Sequence, residues 1–109
     1  MNNLGKLKKE LRSLSSKEQK KKVQRFFKTG KGEYGEGDIF LGIVGGVPVK
    51  RKIAKKYMSL SFLDLQNLLD SKIHEFRFIA LIILIDKFRK EKENRKIIFD
   101  FYIKNAKRI

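Results

Sequence analysis

Backbone punctuation constrains this chain more than any other feature. Its 109 residues hold one proline, Pro48, and eight glycines, seven of which fall between Gly30 and Gly46. Glycine takes up left-handed backbone freely, and proline breaks a helix interior. Residues 29–47 are therefore expected to form one long Gly-rich loop. The sequence on either side is free to run as uninterrupted helix.

The apolar spacing uses that freedom. Leu4, Leu7, Leu11 and Leu14 recur at intervals of three and four and predict a first helix. Ser16 followed by Gln19 has the capping-box pattern and opens a second, with Val23, Phe26 and Phe27 on one face. Pro48 suits the first turn of a third, whose apolar face is Val49, Ile53, Ala54 and Tyr57. Ser61 and Asp64 start a fourth with Leu65, Leu68 and Leu69 inside, ended by Asp70-Ser71. A fifth runs from about Ile73 to Lys90, and its centre, F-I-A-L-I-I-L-I, is apolar all round, the mark of a buried helix. Ile and Phe also suit a strand, but the length and the flanking charges favour helix. A sixth, from about Asn94, carries Ile97, Ile98, Phe101, Tyr102 and Ala106. Phe76, Phe78, Phe88, Phe99 and Phe101 are expected in the core rather than as base-stacking groups. The fold class is all-α, about six helices that read as three antiparallel pairs.

Composition removes several functions. Cysteine is absent and His74 is the lone histidine. Disulfides, thiolate chemistry and Cys or His zinc sites are excluded, and no metal or cofactor is expected. The longest apolar run, Phe78 to Ile85, is far shorter than the roughly 18 residues of a membrane span. The Lys-rich N-terminus lacks the apolar stretch of a signal peptide. A cytoplasmic protein without membrane contact is expected.

The charge points to a polyanion. Lys and Arg number 27 against 12 Asp and Glu, a net +15. Residues 1–31 hold 11 basic and 2 acidic side chains, and residues 89–109 hold 8 and 3, whereas residues 61–88 hold 3 and 4. This asymmetry favours nucleic acid as partner. A Lys-rich background composition is the plainer reading of the same numbers.

Four stretches carry a resemblance. They are G-E-Y-G-E-G-D at Gly32 to Asp38, F-L-G-I at Phe40 to Ile43, R-K-I-A-K-K-Y at Arg51 to Tyr57, and S-K-I-H-E-F-R at Ser71 to Arg77. Together they resemble the N-terminal signature of the DNA alkylation repair (AlkD-like) family of helical-repeat glycosylases, over about Val23 to Ile109. The resemblance implies an α-solenoid of HEAT-like antiparallel helix pairs, with residues 1–109 as one helical-repeat domain from the N-terminal part of a longer fold. It implies a concave basic surface for duplex DNA. It also implies hydrolytic removal of alkylated purines, with an aspartate and aromatic faces stabilising the charge that develops on the sugar.

The family's W-D-x-V-D stretch would follow Ile109, and the chain has no tryptophan. No catalytic residue is assigned by match. The expectation is a chain that supplies DNA-backbone binding without the catalytic half. The C-terminal helix would then present an apolar edge prone to self-association. Two local departures stand out: G-I-V-G-G-V-P has two more residues than the family's G-I-x-V-P, and Lys50 stands where an apolar residue is usual.

The residues expected to touch DNA are Lys50, Arg51, Lys52, Lys55 and Lys56, with Lys28 and Lys31 close by in sequence. They would contact phosphates, which positions a protein without reading sequence. A solvated helix face is the alternative for each. The Gly-rich loop lacks the Gly-Lys-Ser/Thr ending of a P-loop. Glu33, Glu36 and Asp38 read as solvated or capping acids, and His74-Glu75 as a helix start. A helical-repeat scaffold binding an acidic protein is the alternative function.

Overall fold

The computed structural model describes residues 2–27 and 39–106. This part of the chain is all-α. The helices are α1 (Asn3–Ser13), α2 (Lys17–Phe27), α3 (Gly46–Lys56), α4 (Phe62–Leu69), α5 (His74–Lys90) and α6 (Arg95–Lys104), with a 3-10 turn at Lys92–Asn94 before the last. All six lie where the apolar spacing put them.

Short polar side chains set three of the starts. Asn2 Oδ1 accepts from the Gly5 N–H at 2.7 Å, Ser16 Oγ from Gln19 at 3.4 Å, and Ser61 Oγ from Asp64 at 3.1 Å. Each satisfies one of the N–H groups that a first turn leaves without a partner. The start of α3 is different. Gly45 is left-handed (φ +95°) and offers no side-chain cap, and Pro48 sits within the first turn, where its missing N–H costs nothing.

One apolar core joins five of these helices. Leu7 and Leu11 come from α1, Ile53 and Ala54 from α3, Leu65, Leu68 and Leu69 from α4, and Ile98 from α6. The largest share comes from α5: Phe76, Ile79, Ala80, Ile83 and Leu84. That helix packs against α3, α4 and α6. Each fully buried Leu, Ile or Phe contributes about 1.5–3 kcal/mol.

Two core expectations need correction. Helix α5 is not buried all round, for Ile85 and Phe88 are 45% and 38% exposed. On α6, Ile98 is buried while Ile97, Phe99, Tyr102 and Ile103 are exposed. Phe88 and Phe99 are therefore surface groups. The cause is coverage: α3, α4 and α6 flank α5, and no described element lies over the apolar stripe that remains.

The described end of the Gly-rich segment is an extended strap, Ile39–Val44. It is pinned to two turns at once. The Ile39 N–H donates to Lys72 O at 3.0 Å, and the His74 N–H donates to Ile39 O at 2.8 Å. Further on, the Ser16 N–H donates to Gly42 O at 2.8 Å and the Val44 N–H to Leu14 O at 3.0 Å. Phe40 is buried and stacks on His74, ring centroids 4.7 Å apart.

Glu75 completes the attachment. Its side chain is buried, and its two carboxylate oxygens accept from the Leu41 N–H at 2.9 Å and the Gly42 N–H at 3.1 Å. The acid at the start of α5 thus binds the strap's backbone, where the sequence suggested a cap for its own helix. Gly42 has φ +72°, and a Cβ there would strike Lys20 N and come within 2.7 Å of Lys20 Cα and Ser16 O. Only glycine lets the strap lie this close to the backbone of α2. The remainder of the Gly-rich segment, including Tyr34, lies outside the described residues.

Candidate nucleic-acid interface

The basic cluster on α3 divides into three parts. At 3.6 residues per turn, positions 51, 52 and 55 fall on one side of a helix. Arg51, Lys52 and Lys55 are all exposed. None has a hydrogen-bond or ion-pair partner among the described residues. Their charge is free to meet an anion from solution.

Lys50 turns the other way, towards α5. It is half-buried, and its ammonium lies 4.9 Å from the centroid of Phe78. Burial pushes its pKa below the ordinary lysine value, against an opposing pull from Glu75. The aliphatic stem packs as an apolar residue would, and the charged head rests on an aromatic face. This explains how a lysine occupies a position where an apolar side chain was expected.

Lys56 faces α1. Its ammonium is 2.7 Å from Glu10 Oε2, and the Tyr57 hydroxyl donates to Glu10 Oε1 at 3.0 Å. The hydrogen bond from Lys56 holds the Glu10 pKa below its ordinary value, and Lys56 is raised in return. Of the seven cations predicted to touch DNA, three are therefore exposed and unengaged, and two are committed within the fold. Lys28 and Lys31 lie outside the described residues, as do Glu33, Glu36 and Asp38.

The two extra glycines form the turn into α3. Gly45 and Gly46 have φ of +95° and +65°. A Cβ on Gly45 would collide with the Val49 side chain. The pair redirects the chain from the strap into the helix, so the strap's anchors also fix the position of the α3 cations.

Other cations lie near this region. Lys17 and Lys20 line a shallow cleft of about 200 Å³ with Ser15, Ser16, Phe40 and Leu41. Arg77 lines a notch of about 70 Å³ with His74, Phe78 and Leu81, and its guanidinium donates to Ser71 O at 2.9 Å. Lys20 reads as one member of a basic tract spread round α2. Its place in a cleft depends on the approach of the strap at Gly42, which no local spacing reveals.

Chemically the arrangement offers fixed positive charge. No group of three or more His, Cys, Asp or Glu able to hold a metal occurs among the described residues. Both oxygens of the buried Glu75 carboxylate are occupied by backbone donors. The family model described as DNA alkylation repair enzyme matches residues 7–109. No curated protein matches the chain, and no solved structure does.

Proposed function

The chain belongs to the DNA alkylation repair enzyme family, and from that membership we propose that it binds the phosphate backbone of duplex DNA through the outward face of α3. The observation that carries the proposal is the division of the basic cluster. Arg51, Lys52 and Lys55 are exposed together without partners, while Lys50 and Lys56 are held by Phe78 and Glu10. Phosphate contact needs cations that are accessible and not already paired. The α2 cations Lys17, Lys21, Lys22 and Arg25 are exposed as well, and they extend the positive surface available to a polyanion.

Base removal by the family needs a carboxylate beside the sugar as positive charge develops there. The buried carboxylate of Glu75 is engaged with the strap and does not serve that purpose. The proposed role of this chain is backbone binding, in a helical-repeat arrangement, with no base release by the chain alone. The test is titration of a duplex at several salt concentrations, with an alkylated duplex in parallel scored for freed base. Tight binding that weakens steeply with salt, without base release, supports the proposal. Absence of binding at low salt contradicts the DNA assignment, and base release contradicts the non-catalytic part.

A further inference from the structure

The four cations of α1 divide as those of α3 do. Lys8 and Arg12 turn towards α5. Each has its charged head 5.6 Å from the centroid of the Phe76 ring, and the Lys8 ammonium donates to Asn67 Oδ1 at 2.6 Å. Their charge is engaged on an aromatic face. Lys6 and Lys9 are exposed, and neither ammonium has a hydrogen-bond or ion-pair partner among the described residues. Residues 6, 9, 10 and 13 are three and four apart and share one side of a helix. Lys6, Lys9, Glu10 and Ser13 accordingly line one shallow hollow of about 470 Å³.

Glu10 would neutralise one of these lysines if its carboxylate turned to them, and it does not. Its Oε2 accepts from the Lys56 ammonium at 2.7 Å and its Oε1 from the Tyr57 hydroxyl at 3.0 Å. The same contact fixes where the charge of Lys6 and Lys9 lies. It draws their side of α1 against the last turn of α3, where Lys55 and Lys56 stand. Lys52 is one turn before Lys56 on the same edge, and Lys52 and Lys55 are exposed without partners. Two pairs of free cations therefore flank a bridge that carries no net charge of its own, and their potentials add. Protein interfaces centre on apolar side chains, and no exposed large apolar side chain belongs to α1 or to residues 48–56 among the described residues. A polyanion backbone fits this surface better than a protein does.

We propose that Lys6 and Lys9 form a second line of phosphate contacts, so that one duplex lies across α1 and α3 with the Glu10–Lys56 bridge between its two points of attachment. Duplex DNA carries a charge about every 1.7 Å of its axis on two strands, and can engage both helices at once. The inference rests on the DNA reading and extends it to a second helix.

The test measures the slope of log K against log salt for a labelled duplex, in the unaltered chain and two double variants. Lys6→Gln with Lys9→Gln removes the free cations. Lys8→Gln with Arg12→Gln removes the same charge from the same helix, on the edge that faces Phe76. A control of this kind is needed because a chain of net +15 attracts any polyanion. At about 0.9 per phosphate contact, the first variant should lose between about 1 and 2 units of slope and the second less than about 0.5. Lys6 and Lys9 are exposed, so circular dichroism should show the first variant folded. An unchanged slope in that variant would overturn the proposal. So would equal losses in the two variants, because net charge and not contact would then set the binding. Poly-glutamate that displaced the duplex as well as an equal charge of unlabelled duplex would assign the surface to an acidic protein, and overturn it too. If Lys6→Gln with Lys9→Gln kept the slope while the Arg51→Gln, Lys52→Gln, Lys55→Gln variant lost it, the DNA reading would stand on α3 alone. If the unaltered chain failed to bind at low salt, both would fall.

Discussion

The strap and the α5–α6 end treat backbone and side chains in opposite ways. At the strap, an irregular segment is drawn inside and each exposed liability is met: Glu75 takes two N–H groups, Phe40 is buried, and Gly42 removes the side chain that would not fit. At the other end, regular helix with all its backbone bonds leaves Ile85, Phe88, Phe99 and Ile103 open to solvent. The difference separates residues that hold the fold from residues that do not. Residues at the strap hold the shape that presents the α3 cations, while the exposed apolar side chains of α5 and α6 contribute little to that shape.

Substitutions sharpen this contrast. The largest effect is expected at Gly42→Ala, where strain at positive φ combines with a clash against the α2 backbone; a loss of about 3 kcal/mol in urea denaturation is predicted. Glu75→Gln comes next. An amide presents one acceptor oxygen, so its NH₂ would face a buried N–H and leave it unsatisfied, a loss of about 1–3 kcal/mol. Neighbouring α6 positions should then behave unlike each other. Ile98→Ala, in the core, should cost about 2 kcal/mol or more, whereas Phe99→Ala should change stability by less than about 0.5 kcal/mol. Equal losses at the two positions would break the comparison.

The smallest effect is set by pH. Glu10 has a folded pKa below the ordinary value of 4.5, so its contribution is present above that pH and is lost as pH falls through the lowered value. Lys56 is raised above 10.5, so its contribution is present below that pH and is lost at more alkaline pH. The pair is partly solvated, and its contribution is small. Lys56→Met should flatten the acid limb of the urea midpoint against pH. An unchanged acid limb would show that the contact with Glu10 does not persist in solution.

Much of the helical framework was legible because it is local. The Leu4, Leu7, Leu11 series, the Ser61–Asp64 cap and the break at Asp70 all act within a few residues. The strap gives the F-L-G-I motif a physical meaning: Phe40 is buried, Gly42 permits close approach, and Ile43 joins the apolar cluster. The fate of individual cations was not legible. Lys50, Arg51 and Lys56 look alike in sequence, and contacts with Phe78 and Glu10, 28 and 46 positions away, separate them. The role of Glu75 was hidden for the same reason, since its partners lie more than 30 residues earlier. Exposure of Phe88 and Phe99 depends on what covers α6, which periodicity does not encode.

The most direct test compares the slope of log K against log salt for duplex DNA in three proteins: the unaltered chain, the Arg51→Gln, Lys52→Gln, Lys55→Gln variant, and Lys56→Gln. Each phosphate contact contributes about 0.9 to the slope. The triple variant should therefore lose between about 2 and 3 units, and Lys56→Gln less than about 1. A triple variant with the slope of the unaltered chain would contradict the assignment of the α3 face to DNA.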